Sequence, residues 1–181
     1  MSVVPSPCSA SQPASQSASQ SAGWLTGWLL GNAFPGHDRR VRSFALLAAV
    51  LPDADGLPII YDFIHDSLVD PGPVHLYWYV TLHHALGHNV FALALVSVVL
   101  AWLTPGSWKR RVGAWALYVL CFGLHIACDL VGTQWGIYIL WPVSEYRMTG
   151  LLGYRWPLES WQNYAVFCVL FSVAVGMFLW R

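Results

Sequence analysis

The fold is decided by an apolar stretch in the second half of the chain, VGAWALYVLCFGLHIACD (residues 112–129). From Val112 to Cys128 its one ionisable residue, thiols aside, is His125. A helix needs about 17 to 20 mainly apolar residues to cross a bilayer, so this stretch can span one. The whole chain agrees, because 56% of its 181 residues are hydrophobic, 10% are charged, and its mean hydropathy is +0.50. These values predict an integral membrane protein.

Other apolar segments lie on both sides of this stretch. Asn89 to Leu103 is uncharged, and Tyr164 to Trp180 also carries no charge. Ser43 to Pro58 is shorter and ends in two acids, so it either spans with help from its neighbours or stops part-way. Ala22 to Phe34 is too short to span and predicts an interfacial or half-inserted helix. We therefore predict an all-α, polytopic membrane protein of about four membrane helices plus this short helix.

Residues 1–21 differ in composition from the rest of the chain. They are rich in Ser, Gln, Ala and Pro and contain no charged or aromatic side chain, which is typical of a disordered tail. Their lack of a basic start and an apolar centre argues against a secretory signal. Residues 22–181 are then one helical membrane domain. The nine basic and nine acidic residues of the chain balance, which excludes the strongly basic class of nucleic-acid binders. The oligomeric state stays open.

Two basic clusters predict the orientation of the helices. One cluster lies in Arg39–Arg42 and the other in Lys109–Arg111. Short loops rich in Lys and Arg stay in the cytoplasm. When both clusters are placed there, the ends of the helices that carry His and Asp fall on the opposite side. We therefore expect a protein of the bacterial inner membrane with its polar site on the non-cytoplasmic side.

Two pairs of residues suggest metal ligands at these helix ends. Asp53 and Asp55 follow Pro52, and an Asp-x-Asp in turn geometry can point both carboxylates toward one divalent ion; alternatively, they cap the next helix. His125 and Asp129 are four residues apart, so they project from one helical face. They can ligate one ion or form an ordinary structural His–Asp pair.

A third group, His83, His84 and His88, leaves a choice between its first two members. Regular helical spacing favours His84 together with His88, since residues five apart point about 140° away from each other. His83 can still join from an irregular turn before the helix. The three groups together predict a site for one or two divalent ions of the kind used in hydrolysis, with Zn favoured and Mn or Fe as alternatives.

The order of the motifs resembles the YdjM-like family of membrane-bound proteins described as metal-dependent hydrolases. In that family Leu-Pro-Asp-x-Asp, His-Arg-x-x-Thr-His, His-x-x-x-Asp and Trp-Pro-x-Ser follow one another. The matching stretches here are LLAAVLPDAD (46–55), HHALGHN (83–89), GLHIACDLVGT (123–133) and LWPVS (140–144). The resemblance implies that the metal ligands are Asp53, Asp55, His83, His88, His125 and Asp129. The chain departs from the pattern at Gly56, where the family has His, at His84, where it has Arg, and at Gly87, where it has Thr.

The site and the resemblance together predict a membrane-bound hydrolase that cleaves a membrane-resident ester or phosphoester of a lipid. The expected catalytic residues are Asp53 or Asp55 as general base and His84 beside the substrate, in the position of the family's Arg. The expected partners are the lipid bilayer and a small-molecule or lipid substrate. The alternative is a non-catalytic protein that binds or transports metal ions, but the absence of an internal repeat favours the enzyme.

Overall fold

The computed structural model describes residues 24–33, 38–69, 77–132, 136–148 and 161–179. The regular elements in these ranges are helical, and Ile137 pairs with Met148 in an isolated antiparallel bridge. The all-α prediction is therefore confirmed for the described part of the chain; the tail predicted for residues 1–21 lies outside it. The helices are α1 (residues 24–33), α2 (Arg39–Val50), a 3-10 helix (Leu51–Gly56), α3 (Pro58–Leu68), α4 (Tyr77–Leu82), α5 (Val90–Leu103), α6 (Trp108–Gly132) and α7 (Trp161–Leu179).

The segment that was expected from Ser43 to Pro58 belongs to a longer apolar stretch. Helix α2, the 3-10 helix and α3 follow one another without a break and form a 30-residue candidate membrane span, Arg39–Leu68. Pro52 and Pro58 occupy the first turns of the 3-10 helix and of α3. A proline costs no hydrogen bond there, because the first N–H groups of a helix have no partner within it. The chain therefore changes helix type at the two acids and continues.

A second helical stretch, Trp108–Leu130, is also long and apolar enough to cross a bilayer. Helix α5 is apolar but shorter: its 14 residues rise about 21 Å, against about 30 Å of hydrocarbon. Helix α7 coincides with the last segment expected to cross. The described residues thus supply two candidate spans and a shorter apolar helix, and the count of four membrane helices remains a prediction.

Helices α2 and α6 run parallel, as contacts at both of their ends show. At their starts, the Asp38 carboxylate accepts a hydrogen bond from the backbone N–H of Val41 and one from the Arg110 guanidinium; these two donors lower the pKa of Asp38 below its usual value. Beyond the end of α2, Asp53 lies 3.3 Å from His125 of α6. Both basic clusters therefore lie at one end of the bundle and the His and Asp residues at the other. From Arg110 to Asp129 helix α6 rises about 28 Å, close to the thickness of a bilayer's hydrocarbon.

Helix α1 packs on α2 through small residues on both sides. Gly27 and Gly31 face Ala45 and Ala49, and a Cβ added at Gly27 would overlap that of Ala49. Small residues four apart let two helices approach closely, and they are common where helices meet inside membranes. This contact fixes α1 against the part of α2 that leads to Asp53.

The polarity of α3 is inverted relative to a helix of a water-soluble protein. Asp62 and Asp66 are buried, with 3% of Asp62 exposed, whereas Phe63 and Ile64 are exposed. The Asp62 carboxylate accepts the backbone N–H groups of Trp78 and Tyr79, at 3.2 and 2.8 Å, and so fixes the start of α4. A helix that turns its acids inward and its apolar side chains outward is suited to an apolar surrounding medium.

Candidate metal centre

Four acidic and imidazole side chains from three elements meet at the end of the bundle away from the basic clusters. Asp53 comes from the 3-10 helix, His88 from the turn before α5, and His125 and Asp129 from successive turns of α6. One ligand atom of each lies within 4.8 Å of the other three. The Asp129 carboxylate is 3.0 Å from His88 Nε2 and 3.1 Å from His125 Nε2. Asp53 Oδ1 lies 3.3 Å from His125 Nε2 and 3.9 Å from His88 Nε2.

These spacings suit a single metal ion. Four donors that each lie about 2.0 Å from a tetrahedral ion are about 3.3 Å apart. The Nε2 atoms of His88 and His125 and Asp53 Oδ2 are buried and make no hydrogen bond within the described residues. Buried polar atoms are rarely left without a partner. Because all three belong to the same four-residue cluster, these residues fit a bound cation.

Asp55 lies beside this cluster and organises it. Its carboxylate accepts hydrogen bonds from His83 Nδ1 at 2.9 Å and His88 Nδ1 at 3.0 Å. It also accepts the backbone N–H groups of His84 and Gly87, at 3.1 and 2.9 Å. A carboxylate on Nδ1 fixes the tautomer and orientation of an imidazole and leaves Nε2 available to a metal. The structure thus places Asp55 and His83 in contact with each other, next to the four-residue cluster and outside it.

The histidine-containing segment is a turn, so the helical spacing used in the sequence interpretation does not apply to it. Residues 83–89 precede α5, and His84 has a positive φ of 68°. The side chain of Asn89 accepts the backbone N–H groups of Phe91 and Ala92, which caps α5. The same side chain donates to the carbonyl of Ala85. Asn89 therefore joins the turn to α5, a role that its place after His88 did not reveal.

Gly87 brings this turn into close contact with the 3-10 helix. A Cβ at this position would overlap the carbonyl oxygen of Pro52. A glycine is thus required for the observed approach, which places His88 next to Asp53.

Two imidazoles of this turn, those of His84 and His88, have pKa values shifted in opposite directions. Burial disfavours the charged form of His88, but the adjacent carboxylates of Asp129 and Asp55 outweigh it and raise the His88 pKa to about 9. Burial, together with the nearby His83 and His88, lowers the pKa of His84 well below its usual value. His84 is therefore a neutral imidazole at pH 7, unlike the Arg found at this place in the family pattern. Its ring lies 4.6 Å from that of His88.

The segment 136–148 packs over the turn and holds it in place. The backbone N–H of Tyr138 donates to the His84 carbonyl at 3.2 Å, and that of Val90 donates to Ile139 at 3.0 Å. Arg147 donates to the carbonyl of Gly136 and lies over the Tyr138 ring. The LWPVS motif (residues 140–144) lies in this segment, which packs beside the histidine turn.

The sequence model of the YdjM inner membrane protein family matches residues 20–181. The chain belongs to this family. The match confirms the resemblance drawn from the motifs, and it agrees with the apolar spans in assigning the chain to the inner membrane. Comparisons with curated proteins and with solved structures find no match.

A further histidine of the described residues, His65, is not part of the four-residue cluster. His65 is on α3, where it contacts Asp66 at 3.3 Å and stacks on Tyr61. His75 lies outside the described residues. His65 therefore serves as a reference imidazole that is not one of the four clustered residues.

Proposed function

We propose that this member of the YdjM family is a membrane-bound, metal-dependent hydrolase of a lipid ester or phosphoester. The proposal is carried by the convergence of half-buried Asp53 with three buried residues, and the Nε2 atoms of the two imidazoles have no hydrogen-bond partner among the described residues. Buried acids and imidazoles at the end of a membrane helix are costly, so their presence favours a functional role. The inner-membrane family and the apolar outer surface support a substrate that resides in the bilayer.

Asp53, His88, His125 and Asp129 would hold the ion, and Asp55 and His83 would orient His88. Two imidazoles with two carboxylates suit Zn first, and Mn or Fe next. A divalent ion supplies Lewis acidity, which polarises the scissile group and makes a water molecule more acidic. The chain's own contribution is to position the donors and to exclude bulk water from them.

Asp53 is the best placed general base. Its Oδ1 faces His125 and His88, while its Oδ2 makes no hydrogen bond and can accept a proton from water. The water oxygen then forms a bond to the phosphorus or carbonyl carbon, and the bond to the leaving oxygen breaks. The proton held by Asp53 passes to that oxygen, which leaves as an alcohol. His84, whose ring is beside His88, is proposed to contact the substrate.

Metal removal tests this function. Protein purified with its metal and reconstituted in bilayers is expected to release a headgroup or an acyl chain from at least one member of a panel of lipid esters and phosphoesters. Treatment with a chelator is expected to abolish release, and adding Zn back is expected to restore it. A metal-loaded protein that cleaves no member of the panel would instead favour the non-catalytic metal-binding alternative.

Thiol labelling tests the proposed side of the membrane. In a background without native cysteines, Ser107→Cys lies beside the Lys109–Arg111 cluster and Glu145→Cys lies on the segment over the site; both positions are exposed. In intact cells an impermeant thiol reagent is expected to label the cysteine at 145 and spare the one at 107, because the basic clusters stay in the cytoplasm. The opposite labelling would place the site on the cytoplasmic side.

A further inference from the structure

A cavity of about 440 Å³ opens beside the metal centre. This volume falls within the range of roughly 300–1,000 Å³ seen for small-molecule sites. Asp53 lines one part of it and is the only charged residue among the described lining residues. Much of the remaining wall is apolar or aromatic and includes Trp24, Leu57, Ile59 and Tyr79. The cavity therefore joins a hydrocarbon-like wall to one of the proposed metal ligands.

The mouth of the cavity lies among exposed apolar side chains. Trp24 on α1 and Leu57 at the start of α3 are both exposed, with 61% of Leu57 accessible. The neighbouring surface of α3 continues with exposed Ile60, Phe63 and Ile64, while its acids point inward. This surface suits contact with lipid chains, so in a bilayer the opening would face hydrocarbon.

We propose that this cavity holds one acyl chain of a membrane lipid, which enters sideways between α1 and the start of α3. The lipid's ester or phosphoester group would then lie at Asp53, beside the proposed ion. The proposal rests on the proposed function, whose substrate it specifies. An acyl chain moves from the bilayer to an apolar wall without losing hydrogen bonds, whereas a sugar or peptide would leave its polar groups unpaired there. A cavity with one charged residue at one end and a mainly apolar wall therefore favours a lipid as its ligand.

Photo-crosslinking tests the cavity directly. The full chain is reconstituted in phospholipid nanodiscs that contain a trace of phospholipid with a diazirine in the middle of one acyl chain. Tyr79 lines the cavity, yet only 3% of it is exposed. An acyl chain inside the cavity is expected to leave an adduct on Tyr79, read by peptide mass spectrometry after irradiation. Adducts confined to outward residues such as Leu95 and Trp102 would overturn the proposal.

Two adjacent isoleucines provide a matched pair of variants. Ile59 lines the cavity, whereas Ile60 is 55% exposed and is not part of the lining. Ile59→Trp is expected to fill the cavity and eliminate the Tyr79 adduct, while adducts on Leu95 persist. Ile60→Trp adds the same volume to the lipid-facing side and is expected to leave the Tyr79 adduct unchanged. Equal Tyr79 labelling in both variants would contradict an acyl chain in the cavity.

This readout requires neither metal nor turnover, so it separates the two proposals. Lipid hydrolysis without an adduct on Tyr79 would overturn the cavity assignment and leave the hydrolase standing. A Tyr79 adduct that Ile59→Trp removes would support the cavity assignment even if every lipid in the hydrolysis panel were left intact. The metal content of the Ile59→Trp protein is measured alongside and is expected to match the native value, because Ile59 is not one of the four clustered donors.

Discussion

His125→Ala is expected to remove bound metal and, with it, all lipid hydrolysis. His125 Nε2 lies within 3.3 Å of both Asp53 and Asp129, so its loss opens one side of the proposed coordination shell. Loss of an outer partner of a metal ligand already costs about 10- to 100-fold in affinity, and the loss of a ligand itself should cost more. Metal per chain, measured by mass spectrometry after dialysis, is the readout.

The matched control for this variant is His65→Ala on α3. His65 is also an imidazole beside an aspartate, but it lies outside the metal cluster. Its replacement is expected to leave the metal content unchanged. Helix content measured by circular dichroism shows whether the His125→Ala protein is folded, and Asp129→Ala should repeat its effect. Native metal content in both folded variants would refute a shared site.

Asp55→Asn is expected to weaken metal binding without abolishing it. The Asp55 carboxylate accepts four hydrogen bonds, and an asparagine amide presents an NH₂ group to some of those donors. His88 then loses the acceptor that orients it. The metal dissociation constant should rise by about 10- to 100-fold, as is typical when an outer partner is lost. Competition with a chelator of known affinity measures the change.

Cobalt substitution distinguishes positioning by Asp55 from direct ligation. If Asp55 orients His88, the visible absorption spectrum of the cobalt-loaded Asp55→Asn protein should keep the native pattern once the site is saturated. If Asp55 is itself a ligand, as the motif resemblance implies, the spectrum should change. Asp38→Asn is the control, because Asp38 also accepts a backbone N–H but lies at the opposite end of α2. No loss of affinity in Asp55→Asn would refute its proposed role.

One membrane helix and the family of the protein could be predicted from local sequence patterns. The apolar stretch around residues 112–129 predicted a membrane helix, and α6 contains all of it. The four motifs in order predicted the YdjM family, which the family match confirms. Helix α3 was not anticipated, because its outward apolar and inward acidic residues do not follow the pattern of a soluble helix. The burial of Asp62 is explained only by the tertiary structure, in which its carboxylate accepts two backbone N–H groups at the start of α4.

For residues 83–89, which contain three histidines, the prediction from local sequence spacing was wrong. Helical spacing paired His84 with His88, but the argument assumed a regular helix. Residues 83–89 instead form a turn shaped by Asp55, by Asn89 and by the close approach of Gly87 to Pro52. The contacts of Asp55 with His84 and of Gly87 with Pro52 join residues 29 and 35 positions apart in the chain, and spacing along a helix carries no information about them.

By itself, the sequence determined which residues can share a helix face and which stretches can lie in a membrane. Both follow from the constant rise and rotation of the α-helix, so His125 and Asp129 had to project together. Only the tertiary structure decided that Asp53 faces them while Asp55, two residues later, faces His83 and His88. The physical reason is that the direction of each carboxylate depends on a proline-containing 3-10 turn. The histidine turn that packs against it comes from a distant part of the chain.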